Sequence, residues 1–272
     1  MAIPLEDNFT DILGKAQRGL GLSDTQLAEK SGADAEKIRQ LRAGKFDRAT
    51  LDQVAPALRL NADALARFAQ EGWEPDAIEL EGLAQFNTAY DDMQVNAYLV
   101  WDPTSKEAVA FDSGGDSSAL LEKCARDGLT IRLILLTHAH PDHVADLDRL
   151  AQASGAPVYL SDREEAAGAQ PIAEGKHFKA GGLTIESFLT SGHSPGGTTF
   201  FVRGLDRPVA IVGDSLFAGS MGGGNVSYED AVRNNLEKIL TLPDDTVLCP
   251  GHGPLTTVGE EKKHNAFFAG RI

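Results

Sequence analysis

The stretch Thr137-His138-Ala139-His140-Pro141-Asp142-His143 sets three histidines and an aspartate between two segments of different apolar period. Before it, Ile131-Arg132-Leu133-Ile134-Leu135-Leu136 is short and nearly all apolar, the composition of a buried strand. After it, Val144-Ala145-Asp146-Leu147-Asp148-Arg149-Leu150-Ala151 repeats its apolar residues at helical spacing. The polar cluster therefore falls where a core strand ends and a helix begins, which is where layered α/β proteins collect ligands and chemistry. Desolvating four polar side chains at a buried strand end is costly unless each finds a partner. A merely solvated loop would avoid that cost. A metal ion would offset it, and imidazole with carboxylate suits zinc, iron or manganese.

Three later stretches favour the metal. His193 stands in Thr190-Ser191-Gly192-His193-Ser194-Pro195-Gly196, after the strand-like Leu183-Thr184-Ile185-Glu186-Ser187-Phe188-Leu189. Asp214 follows the apolar run Val209-Ala210-Ile211-Val212-Gly213, and His252 follows Val247-Leu248-Cys249-Pro250-Gly251. Four strand ends thus deliver seven candidate ligands: His138, His140, Asp142, His143, His193, Asp214 and His252. Glycine stands beside three of them, and its freedom of backbone angle suits tight turns next to an ion.

This series, with Gly192-His193-Ser194-Pro195-Gly196, Gly213-Asp214-Ser215-Leu216-Phe217 and Pro250-Gly251-His252-Gly253-Pro254 around it, resembles the glyoxalase II-like hydrolase branch of the metallo-β-lactamase fold superfamily. The resemblance covers about residues 80 to 272. It implies an α/β fold, a four-layer αββα sandwich with a dinuclear metal site at one sheet edge. It implies that His138, His140 and His193 hold a first divalent ion, and that Asp142, His143 and His252 hold a second. Asp214 would bridge them. Zn2+ comes ahead of Fe or Mn, and Asp142 would also orient a metal-bridging hydroxide that attacks a thioester. Asp112, in Asp112-Ser113-Gly114-Gly115, matches a family loop near the metals; it supports a ligand histidine or turns at the surface. The glycine-rich Met221-Gly222-Gly223-Gly224-Asn225 shapes the site entrance or is a bare flexible turn.

Composition narrows the remaining readings. A chain of 272 residues accommodates one large domain and a small one. With 42% hydrophobic and 24% charged residues it reads as globular. No apolar run approaches the ~20 residues that span a bilayer, and the first residues lack the basic and apolar regions of a signal peptide. Cys124 and Cys249 lie far apart in apolar surroundings, as buried thiols of a reducing compartment do. The expected location is the cytoplasm, with no membrane partner.

The net charge of −15 is unevenly spread. Residues 1–72 carry 10 Lys and Arg against 11 Asp and Glu, whereas the remainder carries 15 against 29. Such a shift marks two modules, and an acidic second module is a poor nucleic-acid binder. Residues 1–70 read as a small all-α domain of short helices. Asn8 or Thr10, Ser23 and Asp34 are candidate N-caps, with Gly32 and Gly44 as stops. Leu22-Ser23, Leu27-Ala28, Gly32, Ile38, Leu41 and Gly44 resemble the helix-turn-helix of phage-repressor-like domains. That resemblance implies a DNA-reading third helix. Asp24, Asp34 and Glu36 oppose it where phosphate should approach, so DNA is a possible but disfavoured partner and homodimerisation is the alternative role.

Residues 71–80 read as a linker in which Trp73 could anchor one module to the other, and residues 81–272 as the catalytic domain. Segments 96–101 and 108–112 read as a hairpin opening the sandwich, and His177 as an exposed histidine. Only 20 residues follow His252, too few for the helical C-terminal region of full-length glyoxalase II enzymes, so the tail resembles the short bacterial members. Lys262 and Lys263 are candidates to meet a substrate carboxylate, or are simply solvated. The leading expectation is a metal-dependent thioester hydrolase of the hydroxyacylglutathione type acting on a small molecule. An iron-dependent persulfide dioxygenase and a transcriptional regulator with a sensor domain are the alternatives.

Overall fold

The computed structural model describes residues 3–272. Five helices come first: α1 (Phe9–Gly19), α2 (Asp24–Ser31), α3 (Ala35–Arg42), α4 (Arg48–Ala57) and α5 (Ala62–Gln70). The expected caps are in place. Asn8 and Ser23 complete capping boxes with Asp11 and Gln26, and the Asp34 carboxylate accepts from two backbone N–H groups of α3. Asp47 and Asn61 cap α4 and α5.

Two six-stranded sheets follow. The first runs in chain order through β1 (Leu83–Tyr90), β2 (Met93–Trp101), β3 (Glu107–Phe111), β4 (Thr130–Leu135), β5 (Val158–Ser161) and β6 (Ala169–Ile172). The second contains β7 (His177–Ala180), β8 (Leu183–Leu189), β9 (Thr198–Arg203), β10 (Val209–Gly213), β11 (Val247–Pro250) and β12 (Thr256–Thr257). The period of two sorts side chains to opposite faces. On β10, Val209 and Ile211 point between the sheets, packing with Tyr98, Phe111, Phe200 and Val247. Their neighbours Ala210 and Val212 face the other way. On the first sheet, Leu99, Ala110 and Ile134 pack against Leu120 of α6 (Ser118–Asp127) and Leu150 of α8 (Leu147–Ser154). The outer face of the second sheet is covered by α9 (Tyr228–Asn234), a π-helical turn at Asn235–Ile239 and α10 (Val258–His264). These are the four layers of an αββα sandwich.

Three expectations need correction. The hairpin 96–112 does not open the sandwich: β1 precedes it and pairs antiparallel with β2 from Leu83↔Val100 to Tyr90↔Met93. Its sequence, Leu-Ala-Gln-Phe-Asn-Thr-Ala-Tyr, is only half-buried on an edge, so it carries little apolar signal. The helix after His143 is not continuous. A one-turn α7 (Pro141–Val144) ends before α8, and between them the Asp146 carboxylate accepts from the Ser117 N–H and hydroxyl. Lastly, the two modules are not separate bodies. Ile12, Leu27, Leu41, Leu51, Leu58 and Leu65 from the first five helices share one continuous apolar cluster with Phe201, Val212, Leu248, Phe267 and Phe268. The break in charge composition marks a boundary along the chain, not in the core.

Trp73 does anchor the junction. Its ring lies 6.1 Å from Phe68 and stacks 5.1 Å from His264 of α10. Among the described residues no helix is long and apolar enough to cross a membrane.

Candidate metal centre

All seven candidate ligands converge at one edge of the sandwich, at the carboxyl ends of β4, β10 and β11 and the turn after β8. Three clusters of ligand atoms form there, each within 4.8 Å: His138, His140 and His193; Asp142, His143 and His252; and, between these, His138, His143 and Asp214. Asp214 holds the middle. Its Oδ1 lies 3.2 Å from His143 Nε2, and its Oδ2 lies 3.3 Å from His193 Nε2 and 3.4 Å from His252 Nε2. Asp142 Oδ2 lies 3.4 Å from His252 Nε2 and 3.5 Å from His143 Nε2.

A ring of outer hydrogen bonds fixes the imidazoles. Asp112 accepts at Oδ1 from the Thr137 N–H (2.7 Å) and at Oδ2 from the Thr137 hydroxyl (2.7 Å) and His143 Nδ1–H (2.8 Å). Because the Thr137 hydroxyl donates to Asp112, His138 Nδ1–H donates in turn to Thr137 Oγ1 at 3.0 Å. His193 Nδ1–H donates to the Gly223 carbonyl (3.0 Å) and His252 Nδ1–H to that of Gln94 (2.6 Å). In the neutral form of each of these four rings Nδ1 carries the proton, which leaves the lone pair on Nε2. Asp112 reaches this position from a left-handed backbone, φ 56, a conformation that aspartate tolerates better than most residues.

The freed lone pairs point at one another. His138 Nε2, His143 Nε2 and Asp214 Oδ1 are buried without any hydrogen bond, and His193 Nε2 lies 3.0 Å from His140 Nδ1. Such orphaned atoms are costly in a protein interior, and a shared cation is the partner that would satisfy them together. The residues therefore fit divalent ions. The same crowding shifts protons in the bare protein. Burial, with His143 beside it, holds His138 well below its ordinary pKa. Burial likewise lowers His193. Burial also opposes charge on His143 and His252, but Asp214 with Asp112 and Asp142 outweighs it and lifts them to about 10 and about 11. Asp214, despite its burial, is held well below the carboxylate range by His252 and His143.

Of the two readings of Asp112, the contacts show support of a ligand histidine, not a surface turn. The glycine-rich segment is not a free flap. Met221 and Gly222 are buried, and a Cβ on Gly222 would sit 1.8 Å from the Asp214 carbonyl oxygen. Lys262 pairs with Asp244 at 2.6 Å, and Lys263 projects from α10 beside Glu260. His177 is exposed on β7. Three supporting residues escaped the sequence reading. Glu164 accepts from the Ala139 and Gly196 N–H groups at 2.5 and 2.7 Å, tying the His138 loop to the His193 loop. Asn96 Nδ2 donates to the Pro250 and Gly253 carbonyls, and the Tyr98 hydroxyl donates to Pro250, which holds the His252 turn. Each lies far in sequence from the loop it holds, so no local motif marks it.

Residues 90–252 match the model of the metallo-beta-lactamase superfamily. The chain is 34% identical over 204 residues to the probable metallo-hydrolase YqgX of Bacillus subtilis, covering 65% of this chain and 94% of that protein. It is 31% identical over 199 residues to the hydroxyacylglutathione hydrolase GloC of Haemophilus influenzae, covering 64% and 92%. Its fold is similar to the crystal structure of the B3 metallo-beta-lactamase BLEG-1, with a TM-score of 0.62 at 34% identity over 69% of this chain and all of that one.

Proposed function

The chain belongs to the metallo-beta-lactamase superfamily, and from that premise we propose that it is a two-metal hydrolase of small-molecule thioesters, of the hydroxyacylglutathione type. The observation that carries the reading is the set of buried, orphaned acceptor atoms on His138, His143 and Asp214, closed in by His140, His193, Asp142 and His252. Bound divalent ions would supply Lewis acidity and water activated near neutral pH. The chain's own part is positional. Asp214 faces both ligand groups, Asp142 keeps an acceptor oxygen beside His252 and His143 to hold and orient the attacking water, and Asp112 fixes the His143 ring. A thiolate leaves without a strong general acid, so the reaction asks for no protonated side chain at this site. The likeness to GloC supports the acyl-glutathione type. The test is a thioester panel on metal-loaded protein. Turnover of S-lactoylglutathione and simpler thioesters, abolished in His252→Ala, supports the reading. Oxygen consumption with a persulfide, or turnover of a β-lactam alone, replaces it.

The first five helices are proposed not to read DNA. Three of their arginines are already paired: Arg42 with Asp24, Arg39 with Glu36, and Arg48 with Asp52 and Asp63. Phosphate binding would have to break these contacts. Absence of a sequence-selective mobility shift at ~150 mM salt is the expected result. Self-association of these helices is proposed as well, and sizing of the intact chain reads it.

A further inference from the structure

The segment before α1 runs along the rim of the metal centre. A Cβ on Gly253, the residue after His252, would meet the Glu6 backbone N at 3.2 Å and Glu6 Cβ at 3.6 Å. The segment is fastened there by its neighbour. Asp7 is buried and accepts from the Ser220 hydroxyl (2.6 Å) and from Lys15 (2.5 Å). Lys15 in turn donates to the Met221 carbonyl (3.0 Å) and lies 4.8 Å over the Phe217 ring, which packs edge-on to His252 at 5.6 Å. The arm, the Phe217–Met221 loop and His252 thus form one wall. Lys15, the cation in this corner, is already paired with Asp7, whereas Glu6 makes no ion pair or side-chain hydrogen bond among the described residues. Across the site, the strand whose Gln94 carbonyl accepts from His252 turns at Asp91-Asp92, adding no cation.

We infer that Glu6 is a specificity-determining residue of this site, and that its carboxylate favours thioesters bearing a cationic group near the reacting carbon over anionic ones. The inference rests on the reading of this edge as a metal-dependent thioesterase site. Glu6 is exposed at this rim, so its carboxylate is open to an arriving substrate. Glu6 lies outside residues 90–252, so it belongs to what this chain adds to the family domain. The five helices and their leading arm are then part of the substrate wall, and the extra module has a role that needs neither DNA nor a partner chain.

The experiment uses the full-length, zinc-loaded protein and two small thiols of opposite charge, 2-aminoethanethiol and mercaptoacetate, whose dissociation constants are measured by calorimetry. In parallel, kcat/KM is measured for the cationic acetylthiocholine and the anionic S-lactoylglutathione. Glu6→Gln is expected to lower the cation-over-anion ratio in both measurements by roughly threefold to tenfold, and Glu6→Lys to lower it further, both effects shrinking in high salt. Ratios unchanged within twofold in both variants, with zinc content intact, overturn the proposal. If thiol binding shifts as expected while no thioester is turned over, Glu6 keeps its role at the rim and the thioesterase reading fails. If thioesters are turned over with unchanged ratios, only the role of Glu6 fails.

Discussion

Asp112 shows how much of this site rests on single side chains that never touch a metal. It takes three hydrogen bonds and orients His143 directly and His138 through Thr137. Asp112→Asn keeps the shape but turns one acceptor into a donor, which forces the His143 ring or its tautomer to change. Zinc affinity, read by competition with a chromophoric chelator, is expected to fall about 10–100-fold, with secondary structure unchanged. Protons give an independent reading. His143 and His252 carry raised pKa values of about 10 and about 11 in the bare protein, so both are charged at pH 8 and must lose a proton to bind an ion. The sign follows: metal affinity rises with pH through about 10 and about 11, and zinc binding at pH 8 releases about two protons per chain from these two rings. Calorimetry in buffers of different ionisation enthalpy measures that release, and none released would contradict it. At this scale the sequence was most legible where strand, ligand and glycine are adjacent, as in Gly192-His193 or Gly251-His252. It was silent on Glu164, Asn96 and Tyr98, whose partners lie far away along the chain.

Elements position these side chains by ending where they do. β10 and β11 are wholly buried and β4 is buried at its carboxyl end; their apolar runs stop at the sheet edge, and the polar residues begin at once. That alternation of run and stop is why β8, β10, β11 and the strand before His138 could be read directly, whereas β1, polar and half-buried, could not. Loop packing was the other blind spot. The glycines at 222–224 suggested mobility, yet Gly222 is there because the Asp214 carbonyl lies against its Cα. Gly222→Ala is therefore expected to push Asp214 or the His193 partner Gly223 aside and to lose at least one metal equivalent, as elemental analysis would show. Retained stoichiometry would mean the loop yields. Trp73→Ala separates stability from chemistry. It removes a half-buried ring packed on Phe68 and His264, neither of them a candidate ligand, and should cost about 1–3 kcal/mol in denaturant unfolding while zinc affinity stays within about twofold.

On the scale of the whole molecule, the five helices and the sandwich fold around a common core. Burying leucines such as Leu41, Leu51, Leu58 and Leu65 in the shared cluster is worth about 1.5–3 kcal/mol each. The composition break marks two modules along the chain. The shared cluster implies that deletion of residues 1–72 strips cover from Phe201, Val212, Leu248 and Phe268, so the shortened chain should aggregate or melt well below the full one, as light scattering during a thermal ramp would show. A well-behaved deletion with an unchanged melting temperature would contradict this. Fold class and ligand set were legible because both repeat along the chain, as buried runs and as polar stops. The docking of the two parts was not, because apolar helix faces look alike whether they meet a second chain or the next domain of their own. The account stands or falls on the metal centre, and its most direct measurement is a zinc titration of chelator-treated protein with elemental analysis of the product. Two equivalents per chain are predicted for the intact chain, about one for His193→Ala and close to none for Asp214→Ala, because Asp214 faces both ligand groups. A single equivalent in the intact chain, unaffected by Asp214→Ala, would contradict it.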